Sequence, residues 1–203
     1  MLVQRLIDIV FALAILLLTT PIWIVTLILV TLSDFGSPFF LQDRVGRNEK
    51  VFRLVKFRTM TKNASVGSNL TVSGDKRVTP IGRVLRRLKI DELPQLLNVL
   101  VGSMSIVGPR PETPEYVALY DQAEREVLRY RPGLTDPSSI KYRHEERILA
   151  KYRDPVEAYK SVILPDKIAI SLEYQNRRNI ASDLAIIGET ILAIFRPAED
   201  SPH

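Results

Sequence analysis

Residues 9–33 read IVFALAILLLTTPIWIVTLILVTLS, twenty-five positions without a charged side chain. A buried helix in a soluble domain rarely needs such a run, whereas a hydrocarbon layer about 30 Å thick needs roughly 20 consecutive apolar residues. The run is too long for the apolar part of a secretory leader; only Arg5 precedes it as a basic residue, and no small-residue cleavage site follows. Thr19-Thr20-Pro21 stands near its middle. Proline removes one backbone donor and crowds the preceding turn, and threonine hydroxyls bond freed carbonyls and bend a helix further. Two topologies fit: a spanning helix with a proline kink, slightly favoured by these physical terms alone, and a re-entrant helix-break-helix that dips into one leaflet. Arg5 and Asp8, three residues apart, read as an interfacial pair. Arg44, Arg47, Lys50 and Arg53 follow the segment, so the positive-inside rule places the body of the chain in the cytoplasm.

At 203 residues the chain has room for one domain beside a membrane element. Its net charge is +5, unevenly spread. Between Arg44 and Lys89 stand 13 Lys or Arg against Glu49 and Asp75, a net of +11 that leaves −6 for the rest. Such a segment suits an anionic partner: nucleic acid, anionic lipid or a phosphorylated substrate. The absence of cysteine excludes disulfides, thiolate catalysis and Cys-type zinc sites. Two histidines, His144 and His203, are too few for a His-based metal cluster, so any chemistry falls to carboxylates.

Along the chain, residues 35–46 read as a loop with Gly36, Pro38 and Gly46 as breakers, and 50–60 as a short strand with a basic face. Residues 61–79 read as a polar mobile loop, and 80–90 as a basic amphipathic helix. A helix is expected over 91–100 with Asp91 as N-cap, another over 114–130, a loop over 131–139, and two more helices near 154–178 and 182–196. The last would be capped by Ser182 or Asp183. The fold expected is α+β, mainly α: a membrane segment at 1–33, a catalytic domain at 34–196 and a disordered tail at 197–203.

The stretch LKIDELPQLLNVL, residues 88–100, places two adjacent carboxylates, Asp91 and Glu92, behind a basic helix. Capping by Asp91 and dipole complementation by Glu92 would explain them without function. Their surroundings point elsewhere. Arg83, Arg86, Arg87 and Lys89 lie just upstream, and Arg110 sits between prolines in GPRP, a rigid setting for a guanidinium that suits phosphate oxygens. Paired carboxylates beside phosphate-binding cations suit a divalent metal shared with substrate phosphates. An aspartate in that setting can attack phosphorus and form an acyl-phosphate.

KFRTM, RRLKIDELPQLLNVLVGSMSIVGPRP and RYRPGLT, in this order after an apolar segment broken by Thr-Pro, resemble the monotopic phosphoglycosyl transferases, bacterial sugar transferases that begin glycan assembly. The resemblance runs from about Leu2 to Phe195. It implies transfer of a sugar-1-phosphate from a UDP-sugar to polyprenyl phosphate, usually undecaprenyl phosphate, with release of UMP. Asp91 would be the nucleophile and Glu92 its dyad partner. Magnesium is the cofactor, with Asp91 as protein ligand, and Arg86 and Arg110 bind phosphate. It also implies a re-entrant segment broken at Thr20-Pro21 with both ends cytoplasmic, at the cytoplasmic face of the bacterial inner membrane. Residues 88–100 and 182–196 become candidate interfacial helices. The implied partners are the UDP-sugar, the polyprenyl phosphate and membrane lipids, with no nucleic acid; a homodimer stays open.

One stretch departs from the family pattern. Asp136-Pro137-Ser138-Ser139 replaces a Gly-x-Ala-Gln, and Lys141-Tyr142 an Asn-Gly, although Arg143 aligns with the family's final arginine and is carried over as phosphate-binding. This loop is expected near the nucleotide-sugar, the alternative being that it only packs against the body. Two other functions compete: a non-enzymatic, membrane-anchored basic domain, and a transferase that moves the sugar alone and releases UDP.

Overall fold

A computed structural model of the chain describes residues 2–61, 70–72 and 74–196. The expected tail at 197–203 and part of the polar loop, 62–69 and residue 73, lie outside the described residues.

The apolar segment forms one helix, α1 (Leu2–Asp34), 33 residues that would reach roughly 50 Å if straight. At Thr20-Pro21, where a break in the membrane segment is expected, the helical path continues through Pro21. Proline withdraws one N–H from the ladder, and the hydroxyls of Thr19 and Thr20 donate to the carbonyls of Ile15 (2.7 Å) and Leu16 (2.9 Å) in the turn below. Both halves of α1 rest on the same body. Near its start, Arg5 donates to the carbonyls of Val99 and Leu100, while buried Asp8 accepts from Ser105 Oγ and from Ile106 N–H at 2.9 Å. Arg5 and Asp8 are therefore anchors to the body rather than an interfacial pair. Toward its end, Trp23 packs edge-on against Phe57 with ring centroids 5.1 Å apart, and Val30 is buried with Phe57 and Leu85. The opposite face presents Leu6, Val10, Leu13, Leu17, Val25, Ile28 and Leu32 outward. Among the described residues, this is the one helix long and apolar enough to cross a membrane.

Residues 35–46, expected as loop, contain strand β1 (Phe39–Val45), which pairs antiparallel with β2 (Val51–Phe57) from Phe39↔Phe57 to Val45↔Val51. The breakers noted in the sequence flank the strand without entering it. Helix α2 (Pro80–Arg87) follows, capped by Thr79, whose hydroxyl accepts from Gly82 N–H. Gly82 lies directly on the Thr59 backbone, where a Cβ would collide. Lys89, at φ +56°, ends α2 and leads through a tight 3-10 turn (Ile90–Glu92) into α3 (Gln95–Val101). Strands β3 (Ser105–Val107) and β4 (Gly133–Thr135) then pair in parallel. Gly133 N–H donates to Pro109 O, and its Cα approaches Gly108 so closely that no side chain fits at either position. That contact fixes where the Pro109-Arg110-Pro111 loop departs.

The expected helix over 114–130 is interrupted, giving α4 (Pro114–Val117) and a 3-10 stretch at Glu124–Arg129. Asp121 and Glu124 bond each other's backbone N–H groups at 2.9 and 2.7 Å, which starts a fresh turn instead of continuing the old one. The short helices α5 (Pro137–Lys141), α6 (Glu145–Leu149) and α7 (Pro155–Ala158) precede a π-turn (Tyr159–Ile163), α8 (Leu164–Arg177) and α9 (Ile180–Phe195). Asn179, not Ser182 or Asp183, caps α9. Ser182 completes the capping box, and Asp183 is committed to Arg178 and Tyr174. The fold is α+β and mainly α, as expected.

Candidate active site

The carboxylate pair lies in the tight turn between α2 and α3. Glu92 N–H donates to Lys89 O and Leu93 N–H to Ile90 O, so α3 proper starts only at Gln95. Asp91 is therefore not the N-cap: Pro94 occupies that position and no side chain caps it. The ordinary explanation for this aspartate is removed. Asp91 is 7% exposed, and its Oδ1 is buried without a hydrogen-bond partner. A buried polar atom left unpaired costs about 1–3 kcal/mol, so such an atom needs a reason.

Glu92 stands in the opposite condition. Arg110 grips it as a fork, Nη2 to Oε1 at 2.5 Å and Nη1 to Oε2 at 3.2 Å, and Lys56 Nζ lies 3.5 Å from Oε1. Arg110 is aimed by a braced loop. Arg44 donates to Pro111 O, and Val45 N–H donates to Glu112 O. Buried Glu112 accepts from Tyr159 OH at 2.6 Å and faces Lys167 at 3.5 Å, while Lys167 also binds Glu145 at 2.8 Å. The loop, β1 and α8 thus hold the guanidinium from behind.

Electrostatics separates the two carboxyl groups. Burial, then the charge of Glu92, pushes Asp91 above the usual aspartate range. Burial acts on Glu92 in the same sense, but Arg110 and then Lys56 outweigh it and hold the group well below its ordinary value. Burial lowers Lys56 to about 8 against the pull of Glu92. Adjacent carboxyls driven apart in this way divide naturally into two roles. Glu92 is a fixed anion that organises cations, and Asp91 is the unpaired, more basic group available to react.

Lys56, from β2 and the quoted KFRTM, was assigned no role by sequence reasoning. Its position in a stretch of alternating apolar and basic residues was the available signal. Arg86 stands at the rim, its charge close enough to favour ionised Asp91. Its Nε bonds Thr59 Oγ1 at 2.9 Å and its Nη1 bonds Glu146 at 2.7 Å. Arg143 precedes α6 on the adjoining segment, with Nε on His144 Nε2 at 3.0 Å. The structure thus brings together Asp91, Glu92, Arg110 and Lys56, flanks them with Arg86, and sets Arg143 on the neighbouring segment that carries Glu146.

The Asp136–Ser139 stretch, expected near the nucleotide-sugar with packing against the body as the alternative, is tied into the body at two of its residues. Asp136 and Ser138 are buried, at 0% and 1% exposure. Asp136 caps α5 and accepts from Ser138, Ser139 and Ser171, a packing role fixed by its own hydrogen bonds.

Magnesium meets a donor set of one open carboxylate. Both Glu92 oxygens are committed to cations, and no group of three or more His, Cys, Asp or Glu suited to a metal occurs among the described residues. Asp91 Oδ1 is buried there without a hydrogen-bond partner. That fits an ion carried largely by substrate phosphates and waters, as magnesium commonly is.

The bacterial sugar transferase family model matches residues 1–197. The chain is 35% identical over 207 residues to the exopolysaccharide production protein ExoY of Sinorhizobium fredii, covering 94% of this chain and 84% of that protein. It is 37% identical over 200 residues to the UDP-glucose:undecaprenyl-phosphate glucose-1-phosphate transferase of Escherichia coli, covering 96% of this chain and 40% of the relative. Against the UDP-N-acetylgalactosamine-undecaprenyl-phosphate N-acetylgalactosaminephosphotransferase of Aeromonas hydrophila it is 42% identical over 140 residues, 66% of this chain and 32% of that one. With nearly its whole length matched, and its two carboxylates set among cations where α2 meets α3, the chain belongs to the bacterial sugar transferase family.

Proposed function

We propose that this protein is a polyprenyl-phosphate phosphoglycosyl transferase. It takes a sugar-1-phosphate from a UDP-sugar, holds it on Asp91, and passes it to a polyprenyl phosphate such as undecaprenyl phosphate, releasing UMP. The observation that carries this reading is the asymmetry of the dyad: Glu92 locked by Arg110 and Lys56, Asp91 buried beside it with an oxygen open. The relatives named as undecaprenyl-phosphate phosphotransferases supply the reaction class.

In the first step an Asp91 oxygen bonds to the sugar-bearing phosphorus of the donor, and the bond from that phosphorus to the bridging oxygen breaks, its electron pair leaving on UMP. In the second, an oxygen of the polyprenyl phosphate attacks the same phosphorus and the Asp91 carboxylate departs. Neither step requires a net proton transfer. Arg110 and Lys56, kept cationic and oriented by Glu92, face the phosphoryl oxygens and spread their developing charge. Arg86 exchanges Glu146 for a substrate phosphate. Asp91 would help hold magnesium, which would supply further charge neutralisation at the phosphates.

The membrane topology belongs to the same proposal. Residues 5–12 and 23–30 of α1 both contact the catalytic body, which supports a segment whose two ends lie on one side of the bilayer with its apolar face in one leaflet. The positive flank puts that side in the cytoplasm. Against the non-enzymatic reading, Lys56, Arg44, Arg77 and Arg86 of the basic segment are engaged in internal ion pairs.

The test is product identity. Purified protein with magnesium and undecaprenyl phosphate is offered UDP-glucose, UDP-galactose and UDP-N-acetylgalactosamine. UMP from at least one donor, absent with Asp91→Asn, is the expected result. UDP as product would move the assignment to simple glycosyl transfer.

A further inference from the structure

Among the described residues, five buried side-chain polar atoms lack a partner, and two of them belong to positions four residues apart: Asp91 Oδ1 and Gln95 Nε2. Gln95 is 1% exposed and opens α3, four residues after Asp91 along the chain. Backbone bonds of three-residue spacing tighten the segment that carries them: Leu93 N–H to Ile90 O, Leu96 N–H to Leu93 O and Leu97 N–H to Pro94 O. One atom is an idle acceptor and the other an idle donor.

Idle carboxamides are not the habit of this helix. Asn98, three residues further along, is also buried, and its side chain is used at both ends: Oδ1 accepts from Val55 N–H at 3.0 Å and Nδ2 donates to Arg53 O at 2.8 Å. Asn98 ties α3 to β2. Gln95 ties α3 to nothing, although a buried amide N–H without a partner carries a cost of about 1–3 kcal/mol.

We propose that Gln95 is a further catalytic residue, whose amide N–H donates to the Asp91 oxygen that does not bond phosphorus, and so stabilises the aspartate as a leaving group. The inference rests on the phosphoglycosyl transfer proposed above. In the covalent intermediate one Asp91 oxygen bridges to phosphorus and the other is a carbonyl oxygen. When the polyprenyl phosphate attacks, the Asp91 oxygen–phosphorus bond breaks, its electron pair returns to the carboxylate, and negative charge grows on both oxygens. The two atoms are not bonded to each other in this structure; a donor that closes on the second oxygen in the intermediate favours that departure. It does nothing for the forward attack by the same carboxylate, because it quiets the nucleophile slightly. Gln95 therefore acts on the second half of the reaction.

The experiment separates the halves. Full-length wild type, Gln95→Met (similar in length, without a donor) and Gln95→Leu are incubated with a donor that wild type turns over. Adduct formation is followed by intact mass without acceptor, and discharge is then timed after adding undecaprenyl phosphate. Both variants should form adduct at the wild-type rate or faster, discharge it about 100-fold more slowly, and melt no lower than wild type. Discharge at the wild-type rate would overturn the proposal. So would equal slowing of both halves with a lowered melting temperature, which would make Gln95 a packing residue. Wild type that forms neither adduct nor UMP with any donor would instead remove the reaction itself, and the role of Gln95 with it.

Discussion

Asp91 and Asp136 are both buried aspartates just ahead of a helix, and they are opposites. Asp136, fully buried, caps α5 and has both oxygens occupied by Ser138, Ser139 and Ser171. Asp91 caps nothing and leaves an oxygen unpaired beside another carboxylate. The first spends its charge on holding β4, α5 and α8 together. The second is held in place by its neighbours while its own bonding capacity stays open. Burial alone does not distinguish a structural carboxylate from a reactive one; the census of its hydrogen bonds does.

The sharpest way to break this comparison is to neutralise each in turn. Asp91→Asn should lower UMP formation about 10⁴-fold while leaving the melting temperature unchanged or raised, because it discharges a buried carboxyl that no partner compensates. Asp136→Ala should do the reverse. Urea titration should show a loss of about 3 kcal/mol, from a lost cap and orphaned hydroxyls, with turnover per folded molecule nearly intact. A large activity loss from Asp136→Ala at full stability would place that loop in the site after all.

The pH dependence sharpens the same contrast. Asp91 must be ionised to attack, and its raised value moves the acid limb of the rate above the ordinary aspartate range. Lys56 must be protonated to assist, so the rate should fall again as pH rises through about 8. Lys56→Arg, which keeps its charge, should move that alkaline limb upward by at least one pH unit; an unmoved limb would deny Lys56 its part. The smallest effect belongs to Ser171→Ala. It removes one of several bonds to Asp136 and should cost about 1 kcal/mol by thermal melting, without altering the pH profile.

How much of this was legible beforehand depends on how local each signal is. The α1 helix, α2, β2 and the dyad showed themselves in composition, periodicity and motif. Strand β1 did not, because Gly36, Pro38 and Gly46 crowd its ends and FFLQDRV has no clean alternation. The role of Asp91 as a cap was misread because a left-handed Lys89 and a 3-10 turn delay the helix to Gln95, a backbone detail that residue preference at the N-cap does not reveal. Arg110 reads as phosphate-binding with a structural salt bridge as the alternative, but the sequence does not name Glu92 as the partner it forks onto. Lys56 and Gln95 were not foreseen, since each matters through a partner, present or missing, that only tertiary packing defines. The burial of Asp136 and its bond to Ser171, thirty-five residues away, is likewise a long-range fact.

The central claim is that Asp91 carries the sugar phosphate. Its most direct test is peptide mass analysis of the protein after brief exposure to a UDP-sugar that it turns over, with no lipid acceptor. A single sugar-phosphate on the peptide holding residues 88–100, located at Asp91 and discharged by undecaprenyl phosphate, is the predicted result. UMP formed at full rate with no adduct at any time, or an adduct on Glu92 instead, would contradict the account.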